Sequence, residues 1–195
     1  MIRTEENVLT PKTFKTIGGL ATLMFGMQMA NTLTGYGFNA FGLLPRSLLG
    51  LRGILISPFL HGSWMHLGGN LLPFVLLSAM VAADGLRRYL TVSLSIVVIG
   101  GLLVWVFGRY SLHVGASGWV FGLWVYILAR AWYRRSWLNL LTAVAALLFY
   151  SGMIYGFVPR YGVSFESHIA GAVAGFGTAR LFNPVPHPAT AKKEN

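Results

Sequence analysis

Six apolar segments, each close to the length of a membrane-crossing helix, dominate this sequence. A hydrocarbon core about 30 Å thick requires roughly 20 residues of α-helix, and inside it each backbone N–H and C=O needs an internal partner. Only 10% of the 195 residues are charged, whereas soluble domains carry about 25%. The pattern therefore predicts an all-α polytopic membrane protein, a bundle of six transmembrane helices. We place the predicted spans at 14–33, 64–83, 89–107, 117–132, 138–157 and 165–182.

The distribution of Lys and Arg orients these predicted spans. Four of the 15 basic residues lie on one side, in the connections 34–63, 108–116 and 158–164, and the other eleven lie on the opposite side. Basic residues concentrate in cytoplasmic loops, so both termini are predicted to be cytoplasmic, as in an integral protein of a bacterial inner (plasma) membrane. The larger set is Arg3, Lys12, Lys15, Arg87, Arg88, Arg130, Arg134, Arg135, Arg180, Lys192 and Lys193, and the smaller set is Arg46, Arg52, Arg109 and Arg160.

The domain organisation follows from the same pattern. Residues 1–183 are expected to form one membrane domain, and the Pro-rich polar stretch 184–195 is predicted to be a disordered cytoplasmic tail. The net charge of +10 does not indicate a nucleic-acid partner, because the basic residues lie in short loops and not on one face with exposed aromatic residues. Membrane lipids are the expected surroundings. The absence of cysteine excludes disulfides, thiolate metal sites and cysteine nucleophiles.

The connection after the first span is long and unusually apolar. Its central part, 37–61, reads GFNAFGLLPRSLLGLRGILISPFLH, with Gly and Pro residues that interrupt any full span. Two interpretations stay open at this point. The segment either lies in the membrane interface or forms a hydrophobic connector packed on the helix bundle.

Polar residues inside predicted spans are costly and therefore mark candidate functional sites. The second span opens with HGSWMHLGGN, which puts His66 and Asn70 one helical turn apart and His61 at the mouth of the helix. Gly68 and Gly69 are expected to let another helix approach closely. These polar side chains could equally serve only as interhelical hydrogen bonds, so on their own they leave function undecided.

A serine and a further histidine begin two other spans. Ser117 opens the fourth span and is followed by Gly118 and Gly122. The sixth span opens with SHIAGAVAGF, in which His168, Gly171 and Gly175 share one helical face. Two glycine-lined helices can pack closely enough for a hydroxyl and an imidazole to meet. The spacing therefore indicates that the imidazole of the sixth span can act as a base for the serine.

Other hydrolytic chemistries fit the sequence poorly. The residues around Ser117 lack the G-x-S-x-G elbow and the alternating strands and helices of an α/β-hydrolase. Neither Asp84, in a predicted cytoplasmic loop, nor Glu166, two residues before His168 on the same helix, is placed to complete a Ser-His-Asp triad. No H-E-x-x-H zinc motif is present. A Ser-His dyad without metal or cofactor remains.

These motifs resemble those of the rhomboid intramembrane serine proteases. That family has a His and an Asn on the second span, G-x-S-G on the fourth, and a His followed by Gly three and seven residues later on the sixth. The resemblance covers most of the chain. The matching residues here are His66 and Asn70, then Gly115-Ala116-Ser117-Gly118, then His168 with Gly171 and Gly175.

The resemblance implies a function and a role for each residue. It implies a serine endopeptidase that cleaves transmembrane or juxtamembrane segments of membrane proteins, with Ser117 as nucleophile and His168 as general base and acid. His66, Asn70 and the Ser117 N–H would form the oxyanion hole, and His61 would be structural. The alternative is a non-catalytic protein of the same fold that binds client membrane helices.

Two positions depart from the family pattern. Many members have Tyr four residues after the serine, where this chain has Phe121, so ring stacking on the catalytic histidine is retained without the hydroxyl. Many also have a Trp-Arg pair in the first loop, where this chain has only Leu51-Arg52-Gly53.

Overall fold

The computed structural model of the protein describes residues 9–160 and 162–183. The predicted tail 184–195 lies outside these residues. Every regular element in the described part is helical apart from one isolated β-bridge, so the all-α prediction is confirmed. The α-helices are α1 (Pro11–Leu33), α2 (Gly53–Ile56), α3 (Trp64–Ala82), α4 (Leu86–Phe107), α5 (Ser117–Arg134), α6 (Trp137–Tyr150) and α7 (Phe165–Phe182).

The number of helices differs from the prediction. The described residues contain seven α-helices where six were expected, because the four-residue α2 forms inside the first long connection. The predicted span 138–157 is also not one α-helix. Helix α6 ends at Tyr150, and Ser151–Phe157, with glycine at two positions, continues as a 3₁₀ helix.

Three helical stretches are long and apolar enough to cross a membrane by length and composition. Among the described residues these are Trp64–Ala82, Leu86–Phe107 and Trp137–Phe157, which joins α6 to the 3₁₀ helix after it. The outer surface of the bundle is apolar as well, since side chains such as Met65 and Phe149 are mostly exposed. Lipid is the solvent in which such a surface is stable.

Helix α5 lies at the centre of the bundle. Ten of its 18 residues are buried, and it packs against α3, α4, α6 and α7. Phe74 of α3 meets Trp119 of α5 edge to face, with ring centroids 4.7 Å apart, an arrangement that aromatic pairs favour. Because α5 begins with Ser117, this packing fixes the predicted nucleophile at one end of the most buried helix.

The first long connection packs on the bundle through one of its faces. Leu43, Ile54 and Leu60 are buried, and a Cβ at Gly101 of α4 would lie 2.7 Å from Ile54 Cγ2. Its other face leaves Leu48 and Leu49 largely exposed. The connection is therefore packed on the bundle, as one of the two interpretations expected, and its exposed apolar face keeps a position in the membrane interface as an expectation.

Arg52 of this connection is held locally. Its guanidinium lies 4.6 Å from the centroid of the Phe41 ring and donates a 3.3 Å hydrogen bond to the Ala40 carbonyl. These contacts tie the connection to itself, and the adjacent Leu51 and Gly53 provide no Trp partner.

An ion-pair cluster lies at the end of the bundle opposite Ser117. Asp84 accepts from Arg130 at 3.1 Å and from Arg134 at 2.9 Å. The Arg130 side chain is almost fully buried, and its charge is stabilised there by the Asp84 carboxylate. Asp84 thus has a structural partner far along α5 from the serine.

Candidate active site

The turn before α5 presents Ser117 at a helix N-terminus. Gly115 has φ +116°, a backbone conformation that only glycine adopts without strain, and its N–H donates to the Ser57 carbonyl at 2.9 Å. Helix α5 starts two residues later. The first N–H groups of a helix have no partner within it and carry its positive dipole end. The Ser117 N–H is therefore available to an oxygen that develops negative charge.

The imidazole of His168 is held by two contacts. Its Nδ1 lies 2.7 Å from the Gly156 carbonyl oxygen. A carbonyl can only accept, so Nδ1 carries the proton and Nε2 is left with a free lone pair. The ring also stacks on Phe121 with a centroid separation of 4.1 Å and an interplanar angle of 1°. Both contacts restrict the ring to one orientation in which Nε2 is the basic nitrogen.

His66 and Asn70 face the turn that contains Ser117. The hydroxyl of Ser63 caps α3 by accepting from the His66 N–H at 3.0 Å. A Cβ at Gly115 would lie 2.6 Å from His66 Nε2 and 3.6 Å from Asn70 Nδ2, so glycine is needed for this approach. Asn70 Nδ2 donates to the His66 carbonyl at 3.1 Å, which uses one of its two amide hydrogens. The second hydrogen remains for a ligand.

The expectation for Gly68 and Gly69 is wrong. A Cβ added at either position would meet nothing within 4 Å, so no helix among the described residues approaches α3 closely there. Gly69 instead lines an open cavity. The physical reason at Gly69 is that α3 turns this residue toward the cavity and not toward a neighbouring helix.

Close helix packing occurs between α5 and α7. A Cβ at Gly171 would collide with the Gly118 carbonyl, and a Cβ at Gly175 would collide with the Gly122 carbonyl. Backbones that touch in this way need glycine on both surfaces. Since Ser117 precedes Gly118 and His168 precedes Gly171 by one turn, this contact sets the separation of the serine from the histidine.

Replacing Gly171 by Ala is expected to push α5 and α7 apart. We expect the free energy of unfolding to fall by about 1–3 kcal/mol, the usual range for overpacking, together with loss of any activity that depends on the two helices. The matched control is Gly177→Ala on the same helix, where the new Cβ meets nothing within 4 Å. Thermal unfolding in detergent compares the two variants, and equal stability of both would contradict this packing.

His61 supports the serine turn from the other side. Its Nε2 accepts from the Ala116 N–H at 3.4 Å, and its ring meets the His66 ring edge to face at 5.1 Å. The side chain is fully buried. Burial, and secondarily the nearby His66, lowers the pKa of His61 from 6.5 to about 4. The imidazole is therefore neutral at pH 7, as its acceptor role requires.

Acid is expected to destabilise the fold through His61. Between pH 6.5 and about 4 the unfolded chain binds a proton at His61 that the folded chain does not. Stability therefore falls as the pH falls through this window, by up to about 3 kcal/mol. His61→Gln retains an acceptor without this titration, so its unfolding temperature should depend less on pH between 7 and 4. The same pH dependence in both proteins would refute the assignment.

Five of the predicted site residues line one cavity of about 880 Å³. Ser117, His168, His66, Asn70 and Phe121 all face it. Within the described part of the chain, Ser117 Oγ and His168 Nε2 line this cavity without a hydrogen bond between them. Such bonds are often long without substrate and tighten when it binds. Ser117 is half-buried, so part of its surface is accessible at this cavity.

The carboxylates lie away from the imidazole of His168. Glu166 pairs with Arg109 at 3.0 Å, and Asp84 pairs with arginines at the far end of α5. The Gly156 carbonyl occupies the Nδ1 position where a triad carboxylate would bind. In the residues that the structure describes, no three His, Asp or Glu side chains cluster as metal ligands.

Two residues of the site were not singled out from the sequence. Gly156 acts through its carbonyl, and a Cβ there would lie 3.0 Å from His168 Nδ1 and collide with Phe121. His113 lines the same cavity and is buried. A signal for His113 was present, since it is a histidine four residues before Ser117. No such signal marks Gly156, because every residue has a carbonyl.

Comparisons with known proteins agree with this geometry. The rhomboid domain family matches residues 50–184. An uncharacterized protein of Mycobacterium tuberculosis is 30% identical over 188 residues, covering 91% of this chain and 78% of that protein. A putative rhomboid protein of Acanthamoeba polyphaga mimivirus is 29% identical over 140 residues, covering 68% and 75% of the two chains.

A plant protein extends the comparison. Rhomboid-like protein 11, chloroplastic, of Arabidopsis thaliana is 30% identical over 145 residues, covering 67% of this chain and 52% of that protein. The family match alone spans more than half of the chain. The resemblance found in the sequence motifs is thereby confirmed, and the chain belongs to the rhomboid family.

Proposed function

We propose that this protein is an intramembrane serine endopeptidase that cleaves transmembrane or juxtamembrane segments of membrane proteins. The observation that carries the proposal is the state of His168. Its Nδ1–H is donated to Gly156 and its ring is stacked on Phe121, which leaves Nε2 as a base in the cavity that Ser117 also lines. A buried imidazole with one fixed tautomer is suited to general base catalysis.

The reaction follows from these positions. Ser117 Oγ attacks the carbonyl carbon of the scissile bond while His168 Nε2 takes its proton. The Ser117 N–H and donors from His66 and Asn70 stabilise the oxyanion. The C–N bond then breaks as the imidazolium protonates the leaving amine. Water, activated by the same Nε2, hydrolyses the acyl-enzyme and restores the serine.

Two contacts support a dyad over a triad. The Gly156 carbonyl fixes the tautomer of His168, a role that a buried carboxylate has in Ser-His-Asp enzymes. The Phe121 ring limits rotation of the imidazole. A neutral carbonyl stabilises the imidazolium less than a carboxylate does, so rigidity of the site has to contribute more to the rate.

The experiment that tests the proposal uses the purified protein in detergent. A serine-reactive phosphonate should label it covalently, and the reconstituted protein should cleave a transmembrane substrate at one site. Absence of both would favour the alternative, a non-catalytic rhomboid-like protein that binds client helices through the same cavity.

The proposal includes the placement in the membrane. Six spans, with both termini in the cytoplasm and the cavity opening to the other side, fit the distribution of Lys and Arg. In a bacterial inner membrane, a reporter fused after residue 45 should then be periplasmic and one fused after residue 135 cytoplasmic. Finding both reporters on one side would overturn the assignment of the spans.

A further inference from the structure

His113 lies in the turn that leads to Ser117, and its backbone is hydrogen-bonded to the first long connection. Its N–H donates to the Leu43 carbonyl at 2.8 Å, and its carbonyl accepts from the Leu43 N–H at 3.0 Å. The residue is 3% exposed. The first long connection therefore fixes the main chain of His113, so its side chain projects from a rigid position.

Both ring nitrogens of His113 are hydrogen-bonded. Nε2 lies 3.1 Å from the Arg109 carbonyl, which can only accept, so Nε2 carries the proton. Nδ1 lies 2.5 Å from Ser164 Oγ and is therefore the acceptor for that hydroxyl. Ser164 Oγ in turn lies 2.6 Å from Ser167 Oγ. Ser164 donates its proton to His113, so Ser167 must donate to Ser164 Oγ. The donor and acceptor of each hydrogen bond in this series are thereby determined.

This chain of hydrogen bonds joins the two elements that bear the reacting groups. Ser164 immediately precedes α7, and Ser167 immediately precedes His168. A Cβ at Gly118, the residue after Ser117, would lie 3.0 Å from the Ser167 carbonyl. The first turn of α7 is thus tied to the serine turn by His113 on one side and by the glycine contact on the other.

We propose that His113 is a positioning residue, which holds the first turn of α7 so that His168 stays within reach of Ser117. The proposal rests on the proposed protease function. His113 acts on the reaction through Ser164 and the α7 backbone and touches no reacting atom. His113 thus fixes the distance between Ser117 and His168, whereas Gly156 fixes the tautomer of His168.

Another link crosses the same junction but is weaker. Arg109 pairs with Glu166 at 3.0 Å and donates to the Val163 carbonyl, yet its side chain is 47% exposed. Exposed ion pairs contribute little because water competes for both charges. The His113 link joins neutral groups and is part-buried, with His113 itself buried. Burial lowers the pKa of His113, while Glu166 and Arg109 act on it in opposite directions, so Nδ1 remains an acceptor at pH 7.

The test uses variants that keep one of the two hydrogen bonds. His113→Asn places an amide oxygen near the position of Nδ1 and can still accept from Ser164. His113→Gln reaches the position of Nε2 and can only retain the link to Arg109. His113→Ala loses both. Cleavage of a reconstituted transmembrane substrate gives kcat and KM, and thermal unfolding in detergent gives stability.

We expect His113→Ala and His113→Gln to lower kcat by about 100-fold with little change in KM, the effect of misplacing a catalytic group by about 1 Å. His113→Asn should remain within roughly tenfold of the wild type. Ser164→Ala should reproduce the loss, and the double variant with His113→Ala should lose little more, because both changes break one link. Ser151→Ala, which removes an exposed hydroxyl, is the control.

Several outcomes would overturn the proposal. One is His113→Gln as active as the wild type, since that would assign the role to the Arg109 link. Another is additive losses in the double variant. If His113→Ala fails to fold, Ser164→Ala decides, and a folded Ser164→Ala protein with unchanged kcat refutes the positioning role. A wild-type protein that neither cleaves substrate nor reacts with phosphonate overturns the proposed function itself, which separates the two failures.

Discussion

Ser117→Ala is expected to abolish proteolysis while leaving a folded, membrane-inserted protein. Under the proposed function the variant removes the hydroxyl oxygen that would form the acyl-enzyme, and comparable serine substitutions lower kcat by roughly 10⁶-fold. The Ser117 side chain faces the cavity and is not a packing residue of the core, so stability should change by less than about 0.5 kcal/mol. Cleavage of a reconstituted transmembrane substrate and phosphonate labelling measure the loss.

His168→Ala should be equally inactive, for a different reason. It leaves the hydroxyl of Ser117 in place but removes the proposed base, so phosphonate labelling should fall together with cleavage. His168 is buried against Phe121 and Gly156, and this variant therefore loses some packing. The unfolding temperature has to be measured beside activity to separate the two effects.

Glu166→Gln and Asp84→Asn serve as the carboxylate controls. Neither side chain contacts His168; Glu166 pairs with Arg109, and Asp84 pairs with Arg130 and Arg134. Activity per folded molecule should stay largely intact in both. A large loss in a folded Glu166→Gln protein would replace the dyad with a triad, and full activity in Ser117→Ala would end the assignment of protease activity to this site.

The helix positions could be predicted because the position and length of each apolar segment can be read from the sequence. The apolar stretch 165–182 and α7 cover the same residues, and α5 starts at Ser117 in both. The end of α6 could not be predicted. The apolar run continues through Ser151–Phe157, but glycines there permit a 3₁₀ geometry that brings Gly156 to His168. Hydropathy does not distinguish α from 3₁₀ backbone.

The residues of the candidate site could be predicted where their proposed role depends on the type of side chain. Ser117, His66, Asn70 and His168 were selected because polar groups are rare in apolar helices. The contacts of Gly156 and His113 depend on tertiary placement of irregular segments, which no local pattern encodes. The error at Gly68 and Gly69 has the same origin, because a glycine pair looks alike whether it faces a helix or a cavity.

Asn70→Ala is expected to lower kcat by about 10²–10³-fold, the usual effect of removing one oxyanion donor. Asn70 Nδ2 lies beside the serine turn and donates one hydrogen to the His66 carbonyl. Its other hydrogen is the one proposed to bind the oxyanion. The interaction exists only once negative charge develops on the substrate oxygen. KM should therefore change little, and kcat should carry the effect.

Two further variants test whether Asn70 acts by donating a hydrogen bond to the oxyanion. Asn70→Asp has nearly the same shape but presents an anion to the developing oxyanion, so its kcat should fall at least as far as in Asn70→Ala. His66→Ala removes the second side-chain donor proposed for the same oxyanion hole. Activity should persist at a low level in each single variant, because the Ser117 N–H and the remaining donor still bind the oxygen. Measuring kcat and KM for all three in vesicles, with unfolding temperatures alongside, tests this directly. An Asn70→Asp protein that is folded and turns over like the wild type would exclude Asn70 from the oxyanion hole, whatever the effect of Asn70→Ala.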